Sequence, residues 1–278
     1  MDLIVNENLK ENQRFEISEF AQQMCDLALC LNPETDISQL KRRLQFLIFD
    51  AQHCISSDES IHQRVHQLSQ FIFNEKNFRI VGESLNENFS VSTHMLDNCI
   101  TKKSGTLDIV CGLYYILCES LGIHMEFLNL YPPCYLKFCD DGQVFFVDLS
   151  QGGRELTPED MTQIINKYYS DSKEDQKNLM EGMSSLEFVD QYVYQIQSRL
   201  KANSRLGEWC ELQSFRLSNN PNNLKLISER ALVHYELGDL KGALADLKRY
   251  FSFRDPQKAP SKLVLLYEHL QFEINQLN

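Results

Sequence analysis

Apolar residues in the first third of the chain recur at helical spacing. Ile17, Phe20, Ala21, Met24, Leu27, Ala28 and Leu31 fall three and four apart, and Asn32-Pro33 closes that run. Either Asp36 or Ser38 is placed to cap a second helix carrying Leu40, Leu44, Leu47 and Ile48. A third helix follows Ser56-Ser57-Asp58 and carries Ile61, Val65, Leu68, Phe71 and Ile72. The three apolar faces are expected to pack together.

Residues 74–104 are irregular and polar apart from a short apolar helix over Thr93–Ile100. From Leu107 the pattern turns apolar on nearly every side, through Ile109, Val110, Cys111, Leu113, Tyr114, Ile116, Leu117 and Leu121, until Gly122. A helix apolar all round is a central, buried one. Three strand-like runs come next, His124–Tyr131, Cys134–Cys139 and Gln143–Leu149, with Asp140-Asp141-Gly142 joining the last two as a hairpin. One buried helix feeding an antiparallel sheet makes the fold class α+β.

Helix returns at Thr157-Pro158-Glu159-Asp160, which supplies a cap, a first-turn Pro and acidic residues for the helix dipole. Ser170–Lys177 is charged and linker-like, and a long helix is expected over Ser185–Asn203. Leu226–Phe251 has the form helix, Glu-Leu-Gly-Asp turn, helix, with Ala231, Tyr235, Leu237, Gly238, Ala243, Leu244, Leu247 and Tyr250 at its apolar or small positions. That hairpin resembles a single tetratricopeptide unit, which must dock on the rest of the protein to cover its face. Three parts are thus expected: helices over 1–73, an α+β core over 74–157, and a helical region over 158–278.

Composition narrows the function classes. Of 278 residues 43% are apolar and 24% charged, which excludes disorder as the main state. The net charge of −12 argues against nucleic acid as a partner, because phosphate contacts need clustered Lys and Arg. The charge is uneven: residues 1–200 carry 16 basic and 30 acidic side chains, residues 201–278 carry 11 and 9. No apolar run is long enough to span a membrane, and Met1-Asp2-Leu3-Ile4-Val5-Asn6-Glu7 lacks the basic start and apolar stretch of a secretion signal. The expected location is the cytoplasm, with no membrane partner.

Nine cysteines raise the question of thiol or metal chemistry. None forms a Cys-x-x-Cys pair, and several lie in apolar stretches where a reduced Cys behaves as a small hydrophobe. His62 and His66 share a helix face at a metal-ligand spacing, but no Glu stands between them and Arg64 does, so a solvated face is the expectation. His94 and His124 flank the core in sequence. Gly152-Gly153-Arg154 lacks the context of a phosphate loop and reads as a turn leaving the sheet, with Arg154 available to Asp148 or another carboxylate. No cofactor and no metal site is expected.

Three segments in order resemble the SirB1 family, whose transglutaminase-like domain precedes a tetratricopeptide-like C-terminal region. They are the Gly105 segment opening the buried helix, Tyr131-Pro132-Pro133-Cys134-Tyr135-Leu136, and Phe145-Phe146-Val147-Asp148-Leu149-Ser150-Gln151-Gly152-Gly153-Arg154. The resemblance implies a papain-like core. An active member of that wider fold carries a nucleophilic Cys at the start of the central helix, where the helix N-terminus lowers the thiol pKa. A His on the next strand acts as base and an Asp on the following strand orients it. Here the Cys position falls on Leu107, where the resembled family usually has Pro, and the His position falls on Cys134; Asp148 alone matches. The resemblance therefore implies a degenerate triad and a non-catalytic scaffold that contacts another protein, because nucleophile and base act as a unit. The rival is a thiol hydrolase or acyltransferase using Cys134, or Cys111 one turn beyond Leu107.

Overall fold

The computed structural model describes residues 17–82, 90–130, 135–168 and 179–276. These fall into two compact units, the first within 1–26, 35–82 and 92–186, the second within 27–34, 83–91 and 187–278.

Each expected N-terminal helix forms, and each has an identifiable cap. α1 (Glu19–Leu31) follows Ser18, whose hydroxyl oxygen accepts the Ala21 N–H. α2 (Ile37–Cys54) is capped by Asp36 rather than Ser38, and buries Leu40, Leu44, Leu47 and Ala51. α3 (Ile61–Ser69) opens with a reciprocal capping box between Ser60 and Gln63, then widens into a π-helical turn over Gln70–Glu75 that keeps Phe71 and Ile72 buried.

Two elements in the polar stretch carry no sequence signal. β1 (Arg79–Ile80) pairs in parallel with β2 (Ser104–Gly105), and α4 (Leu96–Lys102) lies between them. Two-residue strands have no periodicity to read.

α5 (Leu107–Ser120) is the central helix, with nine of its fourteen residues buried from Ile109 to Cys118. It ends where Gly122 takes a φ of +69°. The sheet that follows has five strands: β3 (Glu126–Leu128), β4 (Tyr135–Asp140), β5 (Gln143–Asp148), β6 (Arg154–Leu156) and β7 (Gly182–Met183), in the order β6-β5-β4-β3-β7 with every neighbour antiparallel. The β4–β5 hairpin turns on Asp141 (φ 47°) and Gly142 (φ 78°), the paired positive φ of a two-residue hairpin. β6 and β7 are additions to the three expected strands. α6 (Pro158–Tyr168) starts at Thr157, which exchanges hydrogen bonds with Asp160. Met161 and Ile165 of α6 join Leu128, Leu130, Tyr135, Phe146 and Leu156 in one apolar cluster. The expected linker at 170–177 lies outside the described residues.

The second unit contains α7 (Ser185–Ala202) from Glu187 onward, α8 (Leu206–Asn219), α9 (Leu224–Glu236), α10 (Leu240–Phe253) and α11 (Ser261–Gln276). The α9–α10 hairpin forms as expected, with Gly238 at φ +77° and Asp239 capping α10. Its core contains Ile227, Ala231, Ala243, Leu247, Leu263 and Leu270. Tyr235 and Leu237 lie exposed at the hairpin's end instead of packing inside. A polar ladder also crosses these helices. Arg216 donates two hydrogen bonds to Asp190 and one to Gln197, Gln197 donates to Gln213, and Arg230 donates two to Asp246. No described helix is long and apolar enough to cross a membrane.

Candidate functional site

The start of α5 and the end of β5 carry Leu107 and Asp148, two of the positions that the sequence resemblance singles out. Gly105 fixes how closely the chain approaches α5. A Cβ there would lie 2.4 Å from Ile109 Cγ2 and 3.2 Å from Cys99 Sγ, so only glycine fits. Thr106 is the N-cap residue, its N–H donating to the Thr93 carbonyl at 3.1 Å and its carbonyl accepting from Val110. Leu107 is the first helical residue, half-buried, and packs against the cluster that includes Tyr135 and Phe146. Asp108 in the first turn complements the helix dipole.

Asp148 ends β5. Tyr135 is its direct cross-strand partner, and Cys134, the expected base position, lies outside the described residues. The Asp148 side chain is buried, and Oδ1 accepts from both the N–H (2.9 Å) and the hydroxyl (2.6 Å) of Ser150. Arg154 is in register with Asp148 across β5 and β6, yet among the described residues no ion pair joins them, and Arg154 is exposed. Gly152-Gly153 is the turn leaving the sheet, as the sequence suggests. Gly153 has a further reason: at φ +80° its absent Cβ would lie 2.3 Å from Ser69 Oγ.

The thiols divide by burial. Cys25, Cys99, Cys111, Cys118 and Cys210 are buried, whereas Cys54 and Cys139 are exposed. Burial pushes Cys99 up to about 12, and Cys25 to about 11. Cys118 is driven well above its ordinary value, chiefly by burial and secondarily by the Glu119 carboxylate. None of these three is poised as a thiolate nucleophile. Cys111 is fully buried within α5.

The histidines are placed unexpectedly. His62 and His66 do share a face of α3, but that face meets Glu155 on β6, His62 Nδ1 at 2.9 Å from one carboxylate oxygen and His66 Nδ1 at 3.4 Å from the other. Glu155 lies 93 residues beyond His62 and 89 beyond His66, so no local spacing could reveal it. Among the described residues no group of three or more His, Cys, Asp or Glu side chains could hold a metal ion. His124 is exposed, while His94 is buried with Nδ1 3.5 Å from Thr106 Oγ1, beside the first residue of α5. Pairing of the chain around Thr93 and Thr106, which sequence spacing does not show, brings this imidazole to the start of α5.

Comparison with protein families finds a match over residues 38–193 to the model described as Transglutaminase-like superfamily. Curated proteins and solved structures give no match. The match contains the central helix, β3–β6 and both positions considered above, Leu107 and Asp148. By that match, more than half its length, and by its helix-plus-antiparallel-sheet core, the chain belongs to the transglutaminase-like superfamily.

Proposed function

We propose that this chain is a non-catalytic transglutaminase-like scaffold, of the kind the SirB1 family represents, acting as a protein-interaction or regulatory protein. The observation that carries this reading is Leu107, an apolar side chain packed into the sheet cluster where an active relative places a thiol at the helix N-terminus. Two further features support it. Asp148 is engaged with Ser150 in a turn, and Cys111 has no exposed surface from which to attack a substrate. The C-terminal helices, including the tetratricopeptide-like hairpin α9–α10, are the proposed protein-contact region. A reducing compartment such as the cytoplasm suits the free cysteines.

The rival reading is a thiol hydrolase or acyltransferase that uses Cys134 or Cys111. Iodoacetamide labelling of the native chain at neutral pH, mapped by peptide mass spectrometry, separates the two. The scaffold reading expects early modification at Cys54 and Cys139 with ordinary thiol kinetics. Rapid, selective modification of Cys134 or Cys111 overturns it.

A further inference from the structure

We propose that a cavity at the C-terminal end of α5 binds a small primary amine with an apolar body. The cavity lies within the first unit, has a volume of about 300 Å³, and is enclosed by one face of α2, the last turn of α5 and the residues leading into α1. Leu107 and this end of α5 are twelve residues apart, about 18 Å of helix, so the cavity is separate from the degenerate triad position.

Its walls divide into two kinds. Ile48, Phe49 and Ile116 supply apolar surface, and Phe49 is 45% exposed. Among the described residues Glu119 supplies the only charge lining the cavity. Its Oε2 accepts a 2.6 Å hydrogen bond from the Ser18 hydroxyl, a neutral partner. Burial raises the Glu119 pKa, with the Ser18 bond opposing that rise.

Glu119 occupies the last turn of α5, where unpaired helix carbonyls carry partial negative charge, and that turn contains no basic residue. Two of these carbonyls are satisfied by neutral donors, Ser120 O by the Gln52 amide and Leu117 O by the Ser120 hydroxyl, while Leu121 O at the C-cap accepts from the Arg64 guanidinium. The Glu119 carboxylate thus faces an apolar-walled space with no basic side chain among its described lining residues. An ammonium group pairs with that carboxylate, and its hydrocarbon portion covers Ile48, Phe49 and Ile116. The volume is at the lower end for small-molecule sites, which suits an aryl or alkyl amine of single-ring size. A carboxylate ligand meets like charge at Glu119 and is rejected.

The test uses the full chain and three probes of matched shape, 2-phenylethylamine, 2-phenylethanol and 3-phenylpropionate, titrated by protein-observed NMR or calorimetry. The amine is expected to bind about tenfold or more tighter than the alcohol, the difference a charge-assisted hydrogen bond provides. The acid is expected not to bind. Glu119→Gln keeps shape and the Ser18 contact, and is expected to remove the preference for amine over alcohol. Ile48→Trp fills the space and is expected to abolish binding of both, with a thermal melt confirming that each variant is folded. Equal or tighter binding of the alcohol or acid by the unmodified chain overturns the proposal without any variant. So does an absence of saturable amine binding, or an amine affinity unchanged in Glu119→Gln.

Discussion

One oxygen of the Asp148 carboxylate accepts both the N–H and the hydroxyl of Ser150, at 2.9 and 2.6 Å, as the chain turns out of β5. Asp148, which we propose corresponds to the triad carboxylate of active relatives, is therefore engaged in local turn chemistry, with its backbone carbonyl also accepting from Gly153. Asp148→Ala is expected to destabilise the fold by about 1 to 2 kcal/mol, as loss of a capping side chain does, and Asp148→Asn by much less because the amide oxygen still accepts. Urea denaturation of the two variants checks this. Equal losses for Asn and Ala would show that the charge, not the acceptor geometry, is what the site requires.

Gly153 meets Ser69 in a contact that admits no side chain. A Cβ at 153 would lie 2.3 Å from Ser69 Oγ and 2.6 Å from its Cβ, and Ser69 Oγ is itself hydrogen-bonded to the buried Tyr114 hydroxyl at 3.0 Å. Gly122 has a similar φ but open space around it. Gly122→Ala thus isolates the backbone strain, about 1 kcal/mol, and Gly153→Ala should cost at least about 2 kcal/mol more through overpacking. Urea midpoints of the two variants measure the difference; similar values would mean that α3 yields to the new methyl without strain.

The same residues explain how far the sequence could be read. The amphipathic period gave α1, α2, α3 and the all-apolar α5, and Asp141-Gly142 gave the β4–β5 hairpin, because those signals are local and repeat over several turns or strand residues. β1, β2 and β7 are two residues long, and they exist only because distant partners supply their hydrogen bonds. At the candidate site, Leu107 and Asp148 could be placed on the ends of a helix and a strand. What could not be read were their partners: Ser150 taking the carboxylate, His94 reaching Thr106, and Glu155 receiving both His62 and His66. Such pairings are set by packing between elements, and neither periodicity nor spacing encodes them.

In the helical unit, Arg230 and Asp246 form a two-bond pair at 2.8 and 2.7 Å, with the Asp side chain 7% exposed and the Arg 17%. The remaining guanidinium nitrogen donates to Ser214. Removing one partner leaves a desolvated charge, so Asp246→Ala is expected to cost about 3 to 5 kcal/mol, whereas replacing both with Arg230→Met and Asp246→Leu should recover most of that loss. A double-mutant cycle by chemical denaturation reads the coupling. If the double variant is as unstable as the single, the pair's value lies in Ser214 and its neighbours rather than in mutual charge compensation.

Alkaline pH probes the buried thiols. Cys99 is 1% exposed beside Gly105, and burial lifts its pKa from about 9 to about 12. A raised folded-state pKa means the stability it carries is complete below pH 9, where the thiol is protonated in both states. Between about pH 9 and 12 the unfolded chain releases the proton and the folded one retains it, so stability falls as pH rises. The contribution from this one group approaches about 1.4 kcal/mol per pH unit in that window. Cys25 acts in the same direction, its folded value being about 11. Cys99→Ala should therefore lose some stability at pH 7 through the small cavity it leaves, yet decline less steeply than the parent above pH 9. Urea midpoints taken from pH 7 to 10.5 under reducing conditions give the two slopes. Parallel slopes would mean that the Cys99 thiolate is accommodated in the folded core, against the burial seen around it.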